Sequence, residues 1–230
     1  MQDMLYNMIF KRKSFHIFKD IGTISAAELC EIEEKYRSFL PLAEDIKTAV
    51  RIVPAKATTC RRGQEYCILL YSEKKDNYLQ NIGYIGEQLD LYLASKNIGS
   101  LWFGIGKTEE KSYNGMDFVI MIAIAKVGEN MYKSKRKTEE EIWTGDKIKN
   151  VTEVVRFAPS ACNTQPWIAE NTNGYIEVFR YKKPGKRGIM PADKVNYYNR
   201  IDIGIFLCFM DLCLNHENIE FEREIFADNN

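Results

Sequence analysis

The stretch "MDFVIMIAIAKV", residues 116–127, constrains this chain most. It is an almost unbroken apolar run between Gly115 and Gly128, the pattern of a central strand buried on both faces. Two helical segments go with it. Residues 201–214, "IDIGIFLCFMDLCL", are apolar almost all round and read as a central helix. Residues 80–98, "QNIGYIGEQLDLYLASKNI", place Ile82, Ile85, Leu89, Tyr92 and Leu93 on one face, with Gly99 as the expected C-terminal stop.

The remaining elements follow by the same reasoning. Residues 3–11 read as a short helix. Residues 25–40 read as a second helix, with Ser25 as N-cap and Glu28 completing a capping box. "VRIVPA" and "EYCILLYS" (65–72) read as strands, separated by a turn at Gly63. Residues 146–158 read as helical, "GYIEVFRY" (174–181) alternates like a strand, and "KKPGKRGIMPADK" reads as a solvated loop. The fold class expected is α+β.

The order of elements repeats. "KRKS" at 11–14 is echoed by "KRKT" at 135–138, and the Ile85-Gly86 pair by Ile203-Gly204. The two offsets, 124 and 118, are close enough for one duplication. The expectation is a single domain over 1–230, made of two half-units, about 1–130 and 131–230, around a shared helical core.

One segment carries chemistry. "RFAPSACNTQPW", residues 156–167, sets two prolines and several amide or hydroxyl side chains behind a helical pattern and ends in a tryptophan. Pro159 and Pro166 fix the backbone and stop the helix. Asn163 offers both a donor and an acceptor. Trp167 is expected to anchor the turn in the core.

With these pieces placed, the chain resembles the FMN-dependent nitroreductase family. "RKSFHIF" (12–18) is similar to that family's Arg-x-Ser-x-Arg/Lys phosphate motif. "APSACNTQPW" (158–167) is similar to its Pro-Ser-Ser-x-Asn-x-Gln-Pro-Trp motif. "NIGYIGEQLDLYLASKNIGSLWFGIG" (81–106) is similar to its long central helix and the flavin-facing turn after it. In ordinary members the two short motifs lie a few tens of residues apart, and two chains build each flavin site together. Here they lie 147 residues apart, from 12 to 159. That spacing resembles a monomeric branch in which two half-units are fused. The first half has "SFLPLAEDIK" where its own copy of the second motif would be, so one flavin site per chain is expected.

The resemblance implies particular roles. Arg12, Lys13 and Ser14 would meet the FMN phosphate, with His16 where the family has a permanent cation. Lys135 and Arg136 would return to the same phosphate. Pro159, Ser160 and Ala161 would lie against the ring and Asn163 at its pyrimidine edge, while backbone amides near Gly104 and Ile105 would point at N5. The implied activity is ping-pong transfer of hydride from NADH or NADPH to a small electron acceptor, a nitroaromatic or quinone. A flavin-binding or sensing protein without turnover is the alternative.

Composition removes other classes. The 32 basic and 32 acidic residues balance, so neither nucleic acid nor an anionic membrane is expected as a partner. Six cysteines without a Cys-x-x-Cys, and only two histidines, read as free thiols of a cytoplasmic protein rather than a metal centre. No Ser-His-Asp or Cys-His arrangement and no glycine-rich dinucleotide signature is present. A monomer is favoured, with a homodimer as the other possibility.

Overall fold

A computed structural model describes residues 1–19, 22–128, 134–181 and 187–228. The first half runs α1 (Gln2–Ile9), α2 (Ala26–Arg37), β1 (Thr48–Pro54), β2 (Tyr66–Ser72), α3 (Tyr78–Ser95), β3 (Ile98–Trp102), β4 (Ser112–Tyr113) and β5 (Met116–Lys126). The second runs α4 (Glu139–Ile142), β6 (Trp143–Gly145), α5 (Val151–Val155), β7 (Trp167–Thr172), β8 (Tyr175–Arg180) and α6 (Val195–His216). This is the expected α+β class. The expected boundary between half-units, at 130/131, lies outside the described residues.

The main sheet is antiparallel with order β1-β2-β5-β3, and β4 also pairs with β5. The apolar run is therefore central: Met121 sits opposite Leu69 of β2, and Ala123 opposite Leu101 of β3. Val119 to Ala125 are all buried. A smaller sheet pairs β6 with β7 in parallel and β7 with β8 antiparallel.

The Ser25 capping box forms, with Ser25 Oγ accepting from Glu28 N and Glu28 Oε2 accepting from Ser25 N. Helix α2 then ends at Arg37 rather than residue 40. Helix α3 ends before Gly99, and the left-handed residue past its end is Asn97, φ 55°. Gly99 lies inside β3 instead, where a Cβ would meet Val127 Cγ1 at 2.3 Å and Phe15 Cδ2 at 2.8 Å. The glycine gives the N-terminal segment room to lie against the strand. The helix expected over 146–158 shrinks to five residues, because left-handed Asn150 (φ 67°) begins it and the 159–166 turn follows it.

Helices α3 and α6 cross at the centre, both buried along most of their length. Each contributes a glycine to the crossing. A Cβ on Gly83 would lie 2.0 Å from Ile201 O, and one on Gly204 would lie 1.9 Å from Gln80 O. The contact is reciprocal, whereas Gly86 makes room for Trp102, whose Cη2 would be 2.6 Å from an added Cβ. Other contacts recur at spacings of 119 to 121. Asn81 Oδ1 accepts from Leu42 N, and Asp202 Oδ1 accepts from Ala161 N. Trp102 Nε1 donates to Asp90, and Arg223 Nη1 donates to Asp211.

Candidate functional site

A cleft of about 220 Å³ is lined by residues from both ends of the chain, from Arg12 to Ile205. Its walls come from six segments, one of them β5, which gives Ile120. The N-terminal turn gives Arg12, Ser14 and His16; the end of β3 gives Leu101, Trp102 and Gly104. The 134–136 segment gives Ser134 and Arg136; the motif turn gives Pro159 through Asn163; and α6 gives Tyr198, Ile201, Asp202 and Ile205. Residues from positions 12 and 159 thus face one cavity. The N-terminal turn reaches it because Phe15 N donates to Ser100 O, laying residues 14–15 along β3.

One end of the cleft is cationic. Arg12 is almost fully buried, and its Nε donates to Asp90 Oδ2 at 2.7 Å. Its Nη2 donates to Ser14 Oγ at 3.3 Å. Asp90 also accepts from Ser100 Oγ and, at 3.2 Å, from Trp102 Nε1. The Nε edge of Arg12 is thus held from behind by a carboxylate. Arg136 stands near it. Burial, and then the charge of Arg12, lower the Arg136 pKa to about 10, which still leaves it a cation at neutral pH. Two neighbouring guanidiniums that repel each other favour an anion between them.

Behind Arg12 lies Glu87, fully buried, with Oε2 accepting from Trp102 Nε1 at 3.2 Å and Oε1 without a hydrogen-bond partner among the described residues. Burial and the nearby Asp90 push the Glu87 carboxyl well above the usual carboxylate range.

The motif turn is held in an unusual backbone. Cys162, Asn163 and Gln165 all have left-handed φ, at 51°, 54° and 47°. Such positions cost about 1–3 kcal/mol each for ordinary side chains and cluster at ligand sites. The surroundings hold them there. Ser160 Oγ accepts from Gln165 N, and Gln165 Oε1 accepts from Lys137 N, both at 2.8 Å. Asn163 Oδ1 accepts from Arg136 Nη1 at 2.5 Å, and Asn163 Nδ2 donates to Lys135 O at 2.8 Å. The Asn163 amide therefore ties the turn to residues 135–136 instead of presenting both its groups to the cleft. Trp167 is fully buried and stacks on Phe206 at 4.8 Å, as an anchor should.

Three expected residues do not line the cleft. Lys13 lines a neighbouring hollow, with Nζ 4.8 Å from the centre of the Phe15 ring. Ile105 is half exposed at the tip of its turn. Lys135 is exposed and contributes its carbonyl to Asn163. Gly104 does line it, but its carbonyl accepts from Tyr198 Oη at 2.8 Å, and a Cβ there would lie 2.7 Å from the Tyr198 ring.

Sequence reasoning passed over Glu87, Asp90, Tyr198 and Asp202. The available signal was an acid inside an apolar helix, at 87, 90 and 202. Asp202 is 2% exposed, its Oδ1 accepts from Ala161 N at 2.9 Å, and its Oδ2 has no partner among the described residues. Burial pushes its carboxyl well above the usual range, opposed only by the Ala161 hydrogen bond. Among the described residues no helix is long and apolar enough to cross a membrane, and all six cysteines are free.

Residues 4–213 match the model of a family described as "Putative TM nitroreductase". No curated protein matches the chain. Among solved structures, a "putative nitroreductase" from Thermotoga maritima aligns with TM-score 0.65 and 17% identity, covering 94% of this chain and 86% of its own. A nitroreductase family protein from Streptococcus pneumoniae aligns with TM-score 0.47 and 12% identity, over 59% of this chain and 96% of that one. A "putative nitroreductase" in complex with FMN, from Desulfovibrio desulfuricans, aligns with TM-score 0.46 and 16% identity, over 60% and 94%. The match over most of its length places this chain in that nitroreductase family.

Proposed function

We propose that the chain binds one FMN in this cleft and transfers reducing equivalents from NADH or NADPH to a small, electron-poor acceptor, in a ping-pong sequence. The observation that carries the reading is the meeting of Arg12 and Arg136 with the left-handed 162–165 turn in a single cavity. Those features fit a ligand with an anionic end and a flat, polar-edged ring. When bound, FMN supplies the hydride chemistry at its N5.

The chain's own residues bind and orient. Arg136, Ser14 and the outer edge of Arg12 hold the phosphate, and Asp90 fixes the Arg12 rotamer from behind. Pro159, Ser160 and Ala161 lie along one face of the ring. Gly104, whose missing side chain makes room for the Tyr198 ring and whose carbonyl accepts from Tyr198 Oη, would form part of the opposite wall. Leu101, Ile120, Ile201 and Ile205 give the cavity apolar walls that exclude water from the ring.

We further propose that the chain is a fused pair of half-units acting as a monomer. The reciprocal Gly83 and Gly204 contacts, and the hydrogen bonds repeated at spacings of 119 to 121, support this. At the second, symmetry-related position the loop at Leu42–Ala43 docks on Asn81 without the motif's amides, and Arg223 stacks over Tyr84 and pairs with Asp211. That position takes no flavin. Anaerobic addition of NADH and NADPH to FMN-loaded protein tests the activity. Bleaching of the flavin band, and its return with a quinone, is expected; a band that persists with both nucleotides favours a flavin-binding protein without turnover.

A further inference from the structure

Asp202 and Asn81 occupy matching turns of the two central helices, 121 residues apart, and do the same structural job. Asn81 Oδ1 accepts from Leu42 N at 2.8 Å and from Ala43 N at 3.1 Å. Asp202 Oδ1 accepts from Ala161 N at 2.9 Å. Each therefore docks a loop onto its helix through one oxygen, and each is buried. An amide suffices for this at position 81, so a carboxyl at 202 needs another reason, because burying a carboxyl is costlier than burying an amide.

The surroundings supply that reason. Among the described residues neither Asn81 Nδ2 nor Asp202 Oδ2 has a hydrogen-bond partner, but Asp202 belongs to the wall of the cleft and Asn81 does not. We propose that Asp202 is a ligand-contacting residue of the cleft, with Oδ1 setting the Pro159–Asn163 turn and Oδ2 donating a hydrogen bond to a carbonyl of the bound ring. The proposal rests on the flavin reading above. Burial raises the Asp202 pKa, the direction that favours the protonated carboxyl this donation requires. The carbonyls of an isoalloxazine ring are acceptors of the matching kind. The other titratable groups lining the cleft are Arg12, His16, Arg136, Cys162 and Tyr198, with Glu87 and Asp90 behind Arg12.

The test is FMN affinity, by fluorescence titration of wild type, Asp202→Asn, Asp202→Ala and Asn81→Ala from pH 6 to 9, with the melting temperature of each apoprotein. Asparagine keeps an acceptor and a donor in place, so D202N is expected within about threefold of wild type at pH 7, and D202A at least tenfold weaker. A loop-anchoring role alone would survive ionisation, because a carboxylate accepts from Ala161 N at least as well. The proposal instead expects wild-type affinity to weaken towards pH 9 relative to D202N, whose residue 202 does not titrate. The remaining groups are common to both proteins. N81A is expected to lower the apoprotein melting temperature and leave FMN affinity within twofold. D202A binding FMN like wild type, or parallel pH profiles for wild type and D202N, overturns the proposal while leaving the flavin reading intact. Wild type that binds no FMN overturns both.

Discussion

The helix crossing at Gly83 and Gly204 gives the sharpest stability prediction. In Gly83→Ala the new Cβ would stand 2.0 Å from Ile201 O and 2.9 Å from Ile201 C. Both are backbone atoms of a buried helix, so no side chain can swing aside. Ordinary contact begins more than an ångström further out, and α3 and α6 must separate by about that much. Alanine recovers about 1 kcal/mol of helix propensity over glycine. Overpacking typically costs about 1–3 kcal/mol and occasionally more; a backbone clash that no side chain can relieve is taken at the upper end, about 3–5 kcal/mol before that recovery. A net loss of about 2–4 kcal/mol is expected. For a chain of this size that corresponds to a fall in melting temperature of about 5–15 °C. Thermal unfolding followed by circular dichroism measures it. Gly128→Ala is the control: nothing lies within 4 Å of an added Cβ there, and the change should stay within about 0.5 kcal/mol. The double variant G83A/G204A should lose less than the sum of the singles, because one separation relieves both clashes. A G83A protein that melts within a degree of wild type would refute the close crossing, and with it the reciprocity on which the two-half reading leans.

Other consequences concern the cleft. Arg136→Ala should weaken FMN at least tenfold but riboflavin, which lacks the phosphate, by less than threefold; equal losses would remove Arg136 from the phosphate end. Lys13→Ala should leave FMN affinity within twofold, since Lys13 lines the neighbouring hollow, and calorimetric titration would show otherwise. Glu87→Gln bears on pH. Its folded-state pKa is raised, so the proton it holds stabilises the folded protein fully below the unfolded carboxylate range, and that contribution is lost as pH rises through the folded value. The melting temperature of wild type should therefore fall more steeply than that of E87Q towards alkaline pH; parallel curves would count against a buried, protonated Glu87.

The readable and unreadable parts of the sequence divide on physical grounds. The central strand at 116–126 was legible because burial on both faces leaves residues 118–125 without a polar position. The 159–167 turn was legible because only a constrained, polar backbone needs prolines and amides at that density. Strand β7 was not. Its inward positions are Trp167, Ala169 and Asn171, and the inward asparagine, which bonds Asp146 O, breaks the alternation that marks a strand. Gly99 looked like a helix stop, since a glycine after a helix is usually one. Its actual role, making room for Phe15 and Val127, depends on a contact 84 residues away that no local pattern records. The acids at 87, 90 and 202 were passed over, because only the packing of the helices in the fold buries them. Asn163 was identified as important for its residue type, but its amide binds Arg136 and Lys135, a partnership set by the tertiary fold.

The central claim is one flavin site per chain, built from both halves. The direct measurement is the visible absorption spectrum of protein soaked in FMN, desalted, and quantified against protein concentration. The account predicts a retained flavin band at one FMN per chain. Two per chain would contradict the closed second position at Asn81 and Arg223, and none would contradict the assignment of this cleft to flavin.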